Sequence, residues 1–268
     1  MTKANSNHTG QVDRAEVITP AGSGEAETYQ RLRAHLAYLG LPTAGETLTE
    51  VLDAARDENL TVIAAMERLL SAEASATAAR RLANRLRNAN LPQPHTWDDF
   101  DFSAQPGVDE KLVRELASLR FLDDAGNVVL VGPPGTGKTM LSVILARLAI
   151  EAGHRAYYTT AADLAARGRK ARLEGRWATW LRFYCTPRLL VIDEVAYNRT
   201  APDPEANAAL FEVISRRYLK SSTVVASHTG VAGWGDQLGD SMLAAALLDR
   251  LLHRGVICAT NGTQTVFG

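Results

Sequence analysis

The sequence predicts an α/β fold: a parallel sheet with helices on both faces, preceded by a small all-α domain. Three observations predict it. From Asn127 onward, short apolar runs alternate with helical stretches, the pattern of a parallel sheet buried on both faces. Before residue 90 the helical period runs without any strand signal. Between the two, "LPQPHTWDDFDF" interrupts the period with Pro92 and Pro94 and reads as a linker. The expected domains are an unstructured tail at 1–24, a helical domain at 25–90 and an α/β domain at 91–268.

The tail is polar and aperiodic, so it has too little apolar surface to order itself. "YQRLRAHLAYLGLP" then places Leu32, Leu36 and Leu39 at helical spacing. "TLTEVLDAARDENL" reads as a second helix with Thr47 or Thr49 as its cap, and "TVIAAMERLLSAEASATAARRLANRLRNANLP" as one or two more. After the linker, "DEKLVRELASLRFL" carries Leu112, Val113, Leu116 and Leu119 on one helical face. Five strands are expected: "NVVLV" at 127–131, "RAYYTT" at 155–160, "RLLVIDE" at 188–194, "STVVAS" at 222–227 and "VICATNG" at 256–262.

Composition narrows the function classes. The 268 residues are 46% hydrophobic and 22% charged, with a net charge of −1. That balance gives no global basic field, so nucleic-acid binding would need a local patch. Cys185 and Cys258 are far apart and fit no metal spacing, which suggests free thiols in a reducing cytosol. No stretch has the apolar length of a signal peptide core or a membrane span.

The clearest motif is "VVLVGPPGTGKTM". Gly132, Gly137, Lys138 and Thr139 fit G-x-x-x-x-G-K-[ST], between an apolar strand and the apolar helix "MLSVILARLAI". Glycines let backbone N–H groups face a phosphate, and the helix N-terminus adds partial positive charge. The loop Gly132, Pro133, Pro134, Gly135, Thr136, Gly137, with Lys138, Thr139 and Met140, is the expected ATP site. Lys138 should reach the β- and γ-phosphates and Thr139 should help hold Mg²⁺.

"RLLVIDEVAY" drives an apolar strand into Asp193 and Glu194. Two carboxylates at a buried strand end call for a charged partner. Asp193 is the expected Mg²⁺ carboxylate, and Glu194 the group that orients or deprotonates the attacking water. The next strand ends at His228, placed either to contact the γ-phosphate or simply in a strand-to-loop turn. "ARGRKARLEGRWATWLR" gathers Arg167, Arg169, Lys170, Arg172 and Arg176 against one acid, Glu174. It reads as a DNA-binding run or as a solvated helix face. Trp177 and Trp180 inside it suit core packing or base stacking. "LLDRLLHRG" sets Leu247, Leu248 and Leu251 on one side of a helix and Arg250 on another. Arg250 is either a residue for a neighbouring subunit's site or a surface arginine paired locally.

Several segments together resemble the IstB-like transposition helper ATPases, relatives of the DnaC helicase loaders within the AAA+ superfamily. They are "TWDDFDFSAQPGVDEKLVRELASLRFLDDAGNVVLVGPPGTGKTML", "TAADLAARGRKARLEGR", "LLVIDEVAY", "ISRRYLKSSTVVASH" and "GWGDQLGDSMLAAALLDRLLH". The resemblance implies a P-loop NTPase sheet without a C-terminal lid. It also implies Arg250 as an arginine finger, a homo-oligomeric ring or spiral on duplex DNA, and a DDE-type transposase as partner. In this family helices at the position of the basic run line the DNA path. One departure is His228, where the usual sensor is Asn. The alternative is a DnaC-like replicative helicase loader; "WDDFDF", "LRFL" and "GWGDQLGD" favour the transposition helper.

Overall fold

The computed structural model describes residues 24–196 and 202–260. The expected tail, Gly24 excepted, and the last residues of the fifth expected strand lie outside them. Chain contacts divide the molecule into two compact units that meet at Ala78 and Ala79, inside a helix rather than in the linker after residue 90.

The first unit holds α1 (Glu25–Tyr38), α2 (Pro42–Asp57) and the start of α3 (Val62–Asn88). Leu36, Ala44 and Leu48 form its small core, with Tyr29, Leu52 and Leu69 around them. α2 begins earlier than the threonines suggested. Pro42 takes the first helical position, where its missing N–H costs nothing. The cap comes from across the unit: the buried Glu73 carboxylate accepts from the Ala44 N–H at 2.9 Å. Thr47 instead bonds back to the Thr43 carbonyl within the helix.

α3 is one helix, and its last turns belong to the second unit, where Leu82, Leu86 and Ala89 pack on the sheet core. That packing is why the division does not fall at the linker. α4 (Glu110–Ala117) is shorter than the apolar pattern allowed, because Leu119 turns the chain at φ 61°. The remaining elements are β1 (Asn127–Val131), α5 (Lys138–Glu151), β2 (Ala156–Thr160), α6 (Ala161–Leu173), α7 (Trp177–Cys185), β3 (Leu189–Asp193), α8 (Pro204–Arg217), β4 (Ser222–Ser227), α9 (Trp234–Leu238), α10 (Ser241–Leu252) and β5 (Gly255–Ala259).

All strand pairs are parallel, in the order β2-β3-β4-β1-β5. The period-2 alternation of each strand divides the core. Val128, Leu130, Val191 and Val224 face α5, against Leu141, Ile144 and Leu145. Val129, Leu190, Ile192 and Val225 face the other layer, against Leu164, Leu181, Val213 and Leu247 of α6, α7, α8 and α10. The predicted fold class, a parallel sheet between two helical layers, is what the chain forms. No helix of the described residues is long and apolar enough to cross a membrane.

Two polar devices hold the sheet's N-terminal end. Asn127 accepts from the Thr223 N–H at 2.9 Å and donates to the Leu251 carbonyl at 3.2 Å. This ties β1 to β4 and to α10. Arg217 is only 1% exposed and donates to the carbonyls of Tyr184, Pro187 and Ser222 and to the Thr223 hydroxyl. Burial lowers its guanidinium pKa to about 10, so it stays charged at neutral pH.

Candidate functional site

The C-terminal end of β1 leads into the glycine loop and then α5. Gly132 adopts φ 154°, and a Cβ there would stand 2.1 Å from the Thr260 hydroxyl. Gly137 caps α5 at φ 82°. Both positions need a residue without a side chain. Lys138 is almost wholly buried, and donates to the Pro133 carbonyl at 2.5 Å and the Thr136 hydroxyl at 3.3 Å. Burial lowers its ammonium pKa, with Asp193 pulling the other way. Its described hydrogen bonds thus go to neutral oxygens of its own loop.

β3 delivers Asp193 beside this loop. Its Oδ2 accepts from the Thr139 hydroxyl at 2.7 Å and from the Tyr158 phenol at 2.8 Å, and its Oδ1 accepts from the Glu194 N–H at 2.7 Å. Burial and then the Asp193 charge push the Tyr158 phenol strongly up, so it remains a donor. Glu194 is exposed, at φ 57°. The left-handed turn lifts it out of the strand, while the Val195 N–H bonds back to the Ala226 carbonyl of β4.

A cleft of about 340 Å³ opens over the loop. Lys138, Thr139, Met140 and His228 line one part of it, which brings the loop and the end of β4 together. Pro92, Gln93 and His95 line another. These three come from the segment that the sequence presents as a linker. Its proline interruption is the only signal they leave, and it says nothing about a cleft. Phe100 follows them and packs against the loop, 3.1 Å from where a Gly137 Cβ would stand.

Arg250 lies elsewhere. Its backbone carbonyl is bonded by Asn127 at the start of β1, whereas the glycine loop leaves the other end of that strand. Its guanidinium donates to the Ala246 carbonyl at 2.8 Å and rests 4.7 Å from the Phe211 ring centre. It pairs with no carboxylate among the described residues.

The basic run splits into α6 and α7 at Gly175. Arg169 pairs with Asp203 at 2.7 Å, Arg167 donates to the Tyr157 hydroxyl, and Arg176 pairs with Glu174. Lys170 stands 3.9 Å from Glu174, and Arg172 lies 4.1 Å from the Trp177 ring centre. Trp177 and Trp180 stack at 4.2 Å, with Trp180 buried in the core beside Leu181 and Tyr184. Among the described residues Arg172 makes no ion pair and Lys170 only a long one, so these two exposed cations are weakly held by acids of the fold.

The chain matches the family model described as IstB-like ATP binding protein over residues 34–265. It belongs to that family. Among relatives, a protein named as the ATP-binding protein of insertion sequence IS5376 from Geobacillus stearothermophilus is 38% identical, over 87% of this chain and 92% of that one. One so named for insertion sequence IS21 from Pseudomonas aeruginosa is 41% identical over 68% of both chains. Solved structures share the fold at low identity. AMPPCP-bound DnaA from Aquifex aeolicus gives a TM-score of 0.53 at 19% identity, over 64% of this chain and 51% of that one. DnaI gives 0.53 at 15% identity, over 62% and 90%. In this IstB-like chain the family match spans the glycine loop, Asp193, Glu194, His228 and Arg250 alike.

Proposed function

We propose that this IstB-like chain is an ATPase that assists transposition of an insertion sequence, assembling on DNA and acting with the element's transposase. The observation that carries the ATPase part is the 2.7 Å contact between Thr139 and Asp193 at the mouth of a glycine loop with a buried lysine. A hydroxyl and one carboxylate suit Mg²⁺, which is commonly held by one or two protein groups plus substrate phosphates. Bound there, Mg²⁺ would supply positive charge to the phosphate oxygens.

The chain's own residues do the rest. Lys138 exchanges the Pro133 carbonyl for a phosphate oxygen. The N–H groups of the loop and the first turn of α5 bind the same oxygens. Glu194, exposed beside Asp193, orients water and takes its proton. His228 approaches the cleft from β4 and donates to the terminal phosphate. Arg250, remote from its own loop, serves the nucleotide of the next subunit in a ring or spiral. Arg172 and Lys170, with Arg167, Arg169 and Arg176 around them, meet the phosphates of duplex DNA.

Two experiments test the reading. Phosphate release should rise with duplex DNA and vanish in Lys138→Ala, while Glu194→Gln should bind an ATP analogue without turnover. Normal turnover by either variant would overturn these assignments. Pull-down against the element's transposase and a replicative helicase decides the partner. Capture of the helicase alone would favour the loader reading.

A further inference from the structure

We propose that Tyr158 is a positioning residue for Mg²⁺-nucleotide binding, and that it ties the Asp193 carboxylate to the segment lining the far side of the cleft. This rests on the reading of Asp193 given above.

Tyr158 is held at three points. Its hydroxyl donates to Asp193 Oδ2 at 2.8 Å. Its N–H donates to the Ala89 carbonyl at 2.8 Å, and its carbonyl accepts from Asn90 Nδ2 at 3.0 Å. β2 is an edge strand, so these backbone groups face away from β3 and would otherwise lie open. Ala89 and Asn90 form the turn after α3, with Asn90 at φ 56°. Pro92 and Gln93 follow after Leu91 and line the cleft. A single residue thus contacts the strand-end carboxylate with its side chain and, with its backbone, the turn that leads into the cleft's linker wall.

The choice of a phenol has a chemical reason. Asp193 is 3% exposed, and a buried carboxylate needs donors on its oxygens. A lysine or arginine at 158 would supply them, but would cancel the charge that a cation needs. A phenol supplies a donor without a charge, and leaves the second Oδ2 contact to Thr139, the neighbouring candidate for Mg²⁺. Partners of this kind that orient metal ligands typically change metal affinity about 10- to 100-fold when removed.

The test is Tyr158→Phe, which keeps the ring and removes only the hydroxyl. A fluorescent ATP analogue is titrated into the full chain at a series of Mg²⁺ concentrations and in EDTA. The expected result is a rise of about 10-fold or more in the Mg²⁺ concentration giving half the metal-dependent tightening, with EDTA affinity unchanged. Asn90→Ala should shift the same midpoint by a smaller factor, without touching the carboxylate. An unchanged midpoint in Tyr158→Phe would overturn the positioning role; a shift there without one in Asn90→Ala would overturn the tie to the linker. Asp193→Asn is the control that separates the two readings. Loss of Mg²⁺ dependence in Asp193→Asn with an unaffected Tyr158→Phe sinks the Tyr158 proposal alone. Unchanged Mg²⁺ dependence in Asp193→Asn sinks the assignment it rests on.

Discussion

Replacing Arg217 by methionine isolates what a buried, unpaired guanidinium does for this sheet. The side chain is 1% exposed and lies 2.9 Å from the Tyr184 carbonyl, 3.0 Å from that of Pro187 and 2.5 Å from that of Ser222. Methionine fills much of the volume but donates nothing. Each stranded buried acceptor costs about 1–3 kcal/mol. Three of them give about 3–9 kcal/mol, reduced because a costly buried charge is removed as well. The net expectation is a loss in the lower part of that range, about 3–5 kcal/mol, a large part of a domain's total stability. Urea unfolding should show it as a lower midpoint with the slope retained. A midpoint equivalent to less than about 1 kcal/mol of change would refute the reasoning, since desolvating the cation would then have cost what its bonds returned. The pH sign follows from the lowered pKa. Below about 10 both states carry the charge, so this group adds no slope near neutrality. Above it the folded state releases its proton first, and the group's contribution to stability rises with pH.

Other substitutions have distinct signatures. Asp203 caps α8 through the N–H groups of Glu205 and Ala206, and Asp203→Ala should cost about 0.5–2 kcal/mol in thermal unfolding. The Ala206 hydrogen bond leads in lowering the Asp203 pKa. Its stabilisation should therefore be full above the ordinary aspartate pKa and fade as pH falls through the depressed folded value. Gly132→Ala puts a methyl group into the Thr260 hydroxyl, at 2.1 Å; it should weaken ATP-analogue binding at least 10-fold, measured by fluorescence, and wild-type affinity would contradict the loop geometry. Charge reversal at Lys170 and Arg172 together should weaken duplex binding and flatten its salt dependence by about two phosphate contacts, whereas reversal of Arg169 should mainly disturb its Asp203 pair.

The sheet and the loop were legible because their signals are local. The run "NVVLV", four apolar residues behind Asn127, becomes β1 residue for residue, and the glycine motif sits where its flanking strand and helix require. What stayed hidden depends on partners distant in sequence. The start of α2 is set by Glu73, 29 residues beyond Ala44, so the nearby threonines drew the cap too late. Tyr158 reads as one more strand aromatic, because Asp193 is 35 residues away. Arg217 looks like any basic residue near a helix end until the carbonyls around it are seen. "LPQPHTW" has turn chemistry, and only the folded chain brings Pro92, Gln93 and His95 over the nucleotide loop.

Arg250 carries the proposal that the nucleotide site is shared between subunits. Its place at the far end of the sheet from its own loop, with no carboxylate partner among the described residues, is the basis for proposing hydrolysis between subunits. Arginine fingers are typically worth about 10³–10⁵ in rate. The direct measurement is DNA-stimulated ATP turnover by mixtures of Arg250→Ala and Lys138→Ala subunits. Each variant alone should be inactive. Mixtures should regain activity at interfaces that pair an intact loop with an intact arginine. Full activity of Arg250→Ala alone, or no recovery in mixed assemblies shown to form, would contradict a shared site.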